Sequence, residues 1–425
     1  MNEKIDGGRD CQHRKEVLYQ NARGRDVFNC RHVANPNNLA VLESCGTCSK
    51  GMWVCENCPG FDRESKQFVY PKPQPIPLPP DIRSIVPDVR PLRIIFQTNG
   101  WNMGGAERWI LSLCNEFDRS KVRPAVIAVD KWEQQSPVML SAVPSDVAIL
   151  PLETVRKQWS AFGDLIIHWG ASPIDGRLPT VSVLHHAGTE CKYTKKAVRV
   201  AIQANVPIVG VNEACRAVLP KTHRGLMTVI ENGADEQRVF PTCGRAEIRA
   251  SYGIRPDQKV VAHIGRIMSD KDVPALAKAV GELSEEWMLL ACGPVSSVSD
   301  LSELEQLAKG RFRYLPPRDH IGDVLAAADV FALLSPSEAH PLGETEAWLA
   351  GVPVVSTRLP WLLALEEKHG DLAVKVGRQH DTHAVAAALQ VAFGRNVSKI
   401  QAIAQNDFTS KAMARRWERY LLGDV

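Results

Sequence analysis

The chain has 425 residues, 44% of them hydrophobic and 23% charged, with a formal net charge of +3. That length allows two or three domains with substantial cores, and the composition is ordinary for a globular protein. So small a charge gives no bulk electrostatic reason to bind nucleic acid, and no nucleic-acid partner is expected.

Met1 to Gly8 lacks the apolar core of a secretory signal, and no run of about 18 apolar residues follows anywhere. The expectation is a cytoplasmic protein with no transmembrane segment. Six of the eleven cysteines lie within residues 11–58, whereas Cys114, Cys191, Cys215, Cys243 and Cys292 are scattered singly, as reduced thiols would be. Residues 1–70 form a Cys-rich module. Its pairs Cys45/Cys48 and Cys55/Cys58 each place two thiolates on one tight turn, the arrangement that binds a soft metal ion. Together they supply a four-sulfur, zinc-ribbon-like site, with the halves closer than is usual. Cys11, His13, Cys30 and His32 offer a second, less specific set. A structural zinc is the expectation for residues 11–58; an iron–sulfur cluster and a metal-free tail are the alternatives. Residues 71–90 begin with alternating prolines, which favour extended polyproline II and read as a semi-rigid linker.

From residue 91 to 240 apolar runs alternate with helical stretches, the pattern of a parallel sheet with helices on its faces. Arg93–Gln97 is the first strand, and Gly104-Gly105-Ala106-Glu107 opens the following helix, where glycines let backbone approach a ligand. Further strands are expected at Ala125–Val129, Leu165–His168, Val181–Leu184 and Ile208–Val211, placing His168, His185 and His186 at strand ends where ligands sit. Lys192, Lys195, Lys196 and Arg199 recur at helical spacing. That face suits anionic acceptors or lipid head groups, so peripheral membrane contact stays open, although such faces are more often simply solvated.

A second alternating series covers residues 241–407. Lys259–Ile264 is a strand leading into Gly265-Arg266, with Lys271 five residues on, and two such cations suit a diphosphate. Trp287–Cys292 and Arg313–Leu315 follow. The run Val330–Leu334 then leads through Glu338 into a helix for which Pro341 suits the first turn and Gly351 the end. Glu338 and Glu346 flank the helix start with seven residues between them. Such a terminus attracts phosphate and the carboxylates accept sugar hydroxyls, so the unit can hold a nucleotide sugar. The same glutamates, with Glu344, would also serve merely to complement the helix dipole. Residues 408–425 read as a terminal helix with Met413, Trp417 and Leu421 at packing intervals.

In order and spacing, Gly104-Gly105-Ala106-Glu107, Asn232-Gly233-Ala234-Asp235, Gly265-Arg266 with Lys271, and Glu338 with Glu346 resemble family 4 of the retaining glycosyltransferases. The resemblance covers residues from about 91 to 425. It implies an α/β fold of GT-B architecture, two facing Rossmann-like domains with the acceptor side first and the donor side second, and the terminal helix packing back toward the first. It implies transfer of a sugar from a nucleoside-diphosphate sugar to an acceptor hydroxyl, with retention and with no metal at the transferase site. By the same resemblance Arg266 and Lys271 bind the diphosphate, Glu346 the ribose and Glu338 the donor sugar. The backbone of His340, Pro341, Leu342 and Gly343 meets that sugar, Gly104 and Gly105 lie at the donor, and His185 touches the reacting centre. Ala339 and His340 replace the glycine and aromatic usual after the first glutamate, and Asp272 replaces a glycine after the lysine. The acceptor, whether glycan, lipid or protein, is left open. A degenerate scaffold that binds without turnover and a metal-dependent interaction protein are the rival readings.

Overall fold

The computed structural model describes residues 80–425 except 171–173, 175, 187–191, 268–270, 296, 379–380 and 424–425, together with four short strands nearer the N-terminus. The chain divides into two units, Met1–Pro77 and Leu78–Val425. In the first, β1 (Arg14–Gln20) pairs antiparallel with β2 (Asp26–Cys30), and β3 (Phe61–Asp62) with β4 (Gln67–Phe68). Arg14 stands opposite Cys30 in register. Cys11, His13, His32, Cys45, Cys48, Cys55 and Cys58 lie outside the described residues, as does Cys191.

The second unit holds two parallel sheets. The first contains β5 (Leu92–Thr98), β6 (Val122–Val129), β7 (Ala148–Pro151), β8 (Leu165–Trp169), β9 (Thr180–Leu184), β10 (Ile208–Gly210) and β11 (Thr228–Val229), in the order β11-β10-β9-β8-β5-β6-β7. The second contains β12 (Lys259–Ile264), β13 (Trp287–Cys292), β14 (Phe312–Leu315), β15 (Val330–Leu333), β16 (Val354–Thr357) and β17 (Val374–Val376), in the order β14-β13-β12-β15-β16-β17. Central strands such as β13 and β15 are buried throughout, because helices cover both faces; their sequences are accordingly continuous apolar runs rather than alternating ones. These are two Rossmann-like α/β domains.

Each sheet reverses its winding once, between β5 and β8 in the first and between β12 and β15 in the second. A crevice opens beyond the strand ends at such a point, because successive helices depart to opposite faces. Helix α1 (Gly105–Glu116) follows β5, α2 (Lys192–Gln203) follows β9, and α3 (Leu342–Leu349) follows β15. Pro341 is the cap before α3 rather than part of its first turn, one residue from the expected position.

The terminal helix α4 (Ser410–Leu422) belongs to the first domain's core. Met413, Trp417 and Leu421 are buried there, with the Trp417 and Trp109 rings 5.6 Å apart. The chain returns beside the segment that left the first domain: Ala234 N–H donates to Phe408 O at 2.8 Å and Ser410 N–H to Ala234 O at 2.7 Å. A side chain at Gly233 would press within 2.1 Å of the Thr409 carbonyl oxygen, so glycine is required for the two crossings to touch. Cys114, Cys215, Cys243 and Cys292 are unbridged. Cys114, Cys215 and Cys292 are buried, and burial pushes the Cys292 thiol up to about 11.

Candidate active site

A cleft of about 950 Å³ lies between the two switch points and is lined from both domains. From the first come Gly104, Gly105, Glu107 and Arg108 at the start of α1, with Trp169 and His185 from the ends of β8 and β9. Gly105 faces open space, since a Cβ there would meet nothing within 4 Å. From the second come Gly265 and Arg266 after β12, Lys271, and the loop from Ser335 to Gly343 with Glu346 on α3. The loops after β12 and β13 touch so closely that a Cβ on Gly293 would stand 1.8 Å from Gly265 O. That contact fixes the backbone beside Arg266.

Within the cleft Arg266 is exposed, whereas Lys271 pairs with Glu338 while both side chains are largely covered, at 19% and 14% exposure. Glu346 pairs in the same way with Arg238, and its side chain is 5% exposed. The third glutamate behaves differently. Glu344 is 1% exposed, accepts one hydrogen bond from Ser356 Oγ at 2.8 Å, and leaves Oε2 without a partner. Burial therefore drives its carboxyl well above the ordinary value. It is a core residue.

His185 packs edge-on against Trp109, with ring centroids 4.7 Å apart, and its Nε2 is buried without a partner. Desolvation, assisted by His186 and His340, lowers it to about 3, so the ring facing this cleft is neutral. Glu107 is raised to about 7 by burial, which its own backbone hydrogen bond and the Arg266 charge oppose. His340 contributes backbone to the cleft while its ring turns into the junction between domains. It stacks on Trp361 at 5.5 Å and Nδ1 lies 3.3 Å from Asn232 N, while its carbonyl accepts from Asn232 Nδ2 at 3.1 Å. Ala339, 4% exposed, packs with the first domain's core. Ala339 and His340, two of the three departures from the pattern the chain resembles, thus sit at the domain junction.

His168 corrects an expectation. It falls within β8, fully buried, with Nδ1 3.5 Å from Ser182 Oγ, and does not line the cleft. The strand runs one residue beyond His168, which leaves the imidazole inside the sheet. Lys192, Lys195, Lys196 and Arg199 all lie exposed on α2 while Val198 on its other side is buried. No helix of the described residues is long and apolar enough to cross a membrane. The sequence reading missed Arg108, Arg238, Arg318 and Asp319. The three arginines line the cleft, and the signal that could have flagged them is slight, since their partners are distant in sequence.

Two parallel Rossmann-like domains facing across a cleft define the GT-B fold. The structure of HepE from Anabaena in complex with UDP and glucose aligns over 78% of this chain and 100% of its own, with a TM-score of 0.65 at 18% identity. WaaG, a glycosyltransferase involved in lipopolysaccharide biosynthesis, aligns over 78% and 100% with a TM-score of 0.59 at 13% identity. Residues 258–393, within the second domain, match the family model of the glycosyl transferases group 1. Among curated relatives, a D-inositol 3-phosphate glycosyltransferase of Mycobacteroides abscessus is 32% identical over 180 residues, 40% of each chain. An N-acetyl-alpha-D-glucosaminyl L-malate synthase of Bacillus anthracis is 30% identical over 162 residues, 36% of this chain and 40% of the relative. The matches to these two relatives therefore span 40% of their length.

Proposed function

We propose that this protein transfers a sugar from a nucleoside-diphosphate sugar to an acceptor hydroxyl with retention of anomeric configuration. One observation carries the reading: Arg266, Lys271, the α3 N-terminus, Glu338 and Glu346 all line one cleft, with His185 and Gly105 on the opposing domain. Arg266 and Lys271 bind the diphosphate and, with the free N–H groups of α3, stabilise the charge that grows on it as the glycosidic bond breaks. These cations serve where a divalent metal serves in other transferases. Glu346 accepts hydrogen bonds from the ribose. Glu338, whose Oε1 pairs with Lys271, contacts the sugar as a hydrogen-bond acceptor, and by the resemblance no covalent nucleophile is needed. Neutral His185 stands at the reacting sugar with a ring nitrogen able to accept or donate. The acceptor hydroxyl attacks from the face that the diphosphate leaves.

A screen of nucleoside-diphosphate sugars for thermal stabilisation tests this, since a ligand of the native state raises the melting temperature. At least one donor should do so in the wild type and fail in Arg266→Ala. No response from any donor refutes the reading.

For the N-terminal module we infer a structural zinc on Cys45, Cys48, Cys55 and Cys58, supported by the two close thiolate pairs.

A further inference from the structure

A line of four charged residues that reaches Glu346 crosses from one domain to the other. Arg108 on α1 pairs with the Asp319 carboxylate of the second domain. The Asp319 carbonyl accepts from Arg238 Nε at 2.8 Å, and Arg238 Nη1 pairs with Glu346 Oε1. The Arg108 and Arg238 side chains are only 8% and 14% exposed. Burial and the neighbouring Arg238 lower the Arg108 guanidinium, while Asp319 and Glu346 support its charge. The line nevertheless ends unfinished. Arg108 Nη2 is buried and has no hydrogen-bond partner, although the residue lines the cleft. A buried donor left unmatched is costly, and in a binding site it marks the place of a missing acceptor.

We propose that Arg108 Nη2 donates to a ribose hydroxyl of the bound nucleotide, so that the ribose is held from both domains at once. The inference rests on the reading of Glu346 as the ribose carboxylate. A hydroxyl carries one donor and two acceptor lone pairs, so a ribose diol can donate to Glu346 while accepting from a guanidinium. The planar guanidinium suits this double duty, with Nη1 on Asp319 and Nη2 on the sugar. Arg238 and Asp319 are then positioning residues: Arg238 orients Glu346, and Asp319 ties Arg108 to the second domain. The ribose becomes the part of the nucleotide that registers whether the domains are aligned.

The test is calorimetric titration of the full chain with whichever of UDP, GDP and ADP binds most tightly, and with its 2′-deoxy and 3′-deoxy analogues. The wild type should bind at least one deoxy analogue roughly ten- to a hundredfold more weakly, the range for hydrogen bonds to charged groups. Arg108→Gln should weaken the ribonucleotide about tenfold and hardly affect that analogue, so discrimination collapses. Arg108→Lys keeps charge and stem, which guards against misfolding, and should lose the same discrimination because an ammonium held by Asp319 lacks the second planar donor. Equal losses on both nucleotides, or discrimination retained in both variants, overturn the inference. Glu346→Gln separates the two layers. If it abolishes discrimination while the Arg108 variants keep it, the role of Arg108 alone falls. If it too keeps discrimination, or if no nucleotide binds, the donor-site reading falls as well.

Discussion

Three glutamates crowd the stretch from Glu338 to Glu346, and Glu344 is the one whose removal from the site can be tested by stability alone. Its carboxyl is 1% exposed, with one hydrogen bond from Ser356 and no cation paired to it. Burial therefore raises its affinity for the proton well above the ordinary 4.5 and favours the neutral acid. A group raised in this way contributes its full stability below 4.5 and loses it as pH rises toward the folded value. Each pH unit within that window costs about 1.4 kcal/mol. Glu344→Gln preserves the bond from Ser356 and removes the titration. The stability of the variant relative to the wild type should therefore rise as pH increases from 4.5 toward neutral. Urea unfolding followed by tryptophan fluorescence measures this directly, because Trp348 and Trp361 are buried in the same core. A difference that stays constant across the range would mean that Glu344 ionises as readily in the folded protein as in the unfolded chain, and would refute the reasoning.

Two further outcomes follow from the same site chemistry and from the N-terminal segment. Arg266→Ala and Lys271→Ala should each lower kcat at saturating donor by about two orders of magnitude or more, as loss of a transition-state stabiliser does. An effect confined to KM in saturation kinetics would reduce the two cations to binding groups. Freshly prepared, unchelated protein should carry tightly bound zinc on the Cys45, Cys48, Cys55 and Cys58 set, and elemental analysis finding neither zinc nor iron would sink that proposal.

The parts of the fold that could be read in advance were those written as continuous runs. Lys259–Ile264 and Trp287–Cys292 are strands over the expected residues because burial on both faces demands unbroken apolar sequence. Thr228–Val229 and Val374–Val376 end their sheets, are only two and three residues long, and leave no such run to find. At the site, the order of Gly105, Arg266, Lys271, Glu338 and Glu346 was legible because each stands just after a strand or on the helix that follows one. Their partners were not. Arg238 meets Glu346 across 108 positions and Arg108 meets Asp319 across 211, separations set by how the domains face each other and not by any local pattern. His168 was misread because a strand end and a strand interior differ by one residue of register, which periodicity does not resolve.

The central claim is that the cleft breaks and remakes a glycosidic bond on one face of the sugar. Proton NMR of the product formed from a nucleoside-diphosphate sugar of known anomeric configuration tests it most directly, with the anomeric coupling constant as the readout and the first turnovers observed before any mutarotation. A product whose anomeric configuration matches the donor's is expected, formed equally in the presence of a chelator that leaves the N-terminal module folded. A product of inverted configuration would contradict the claim.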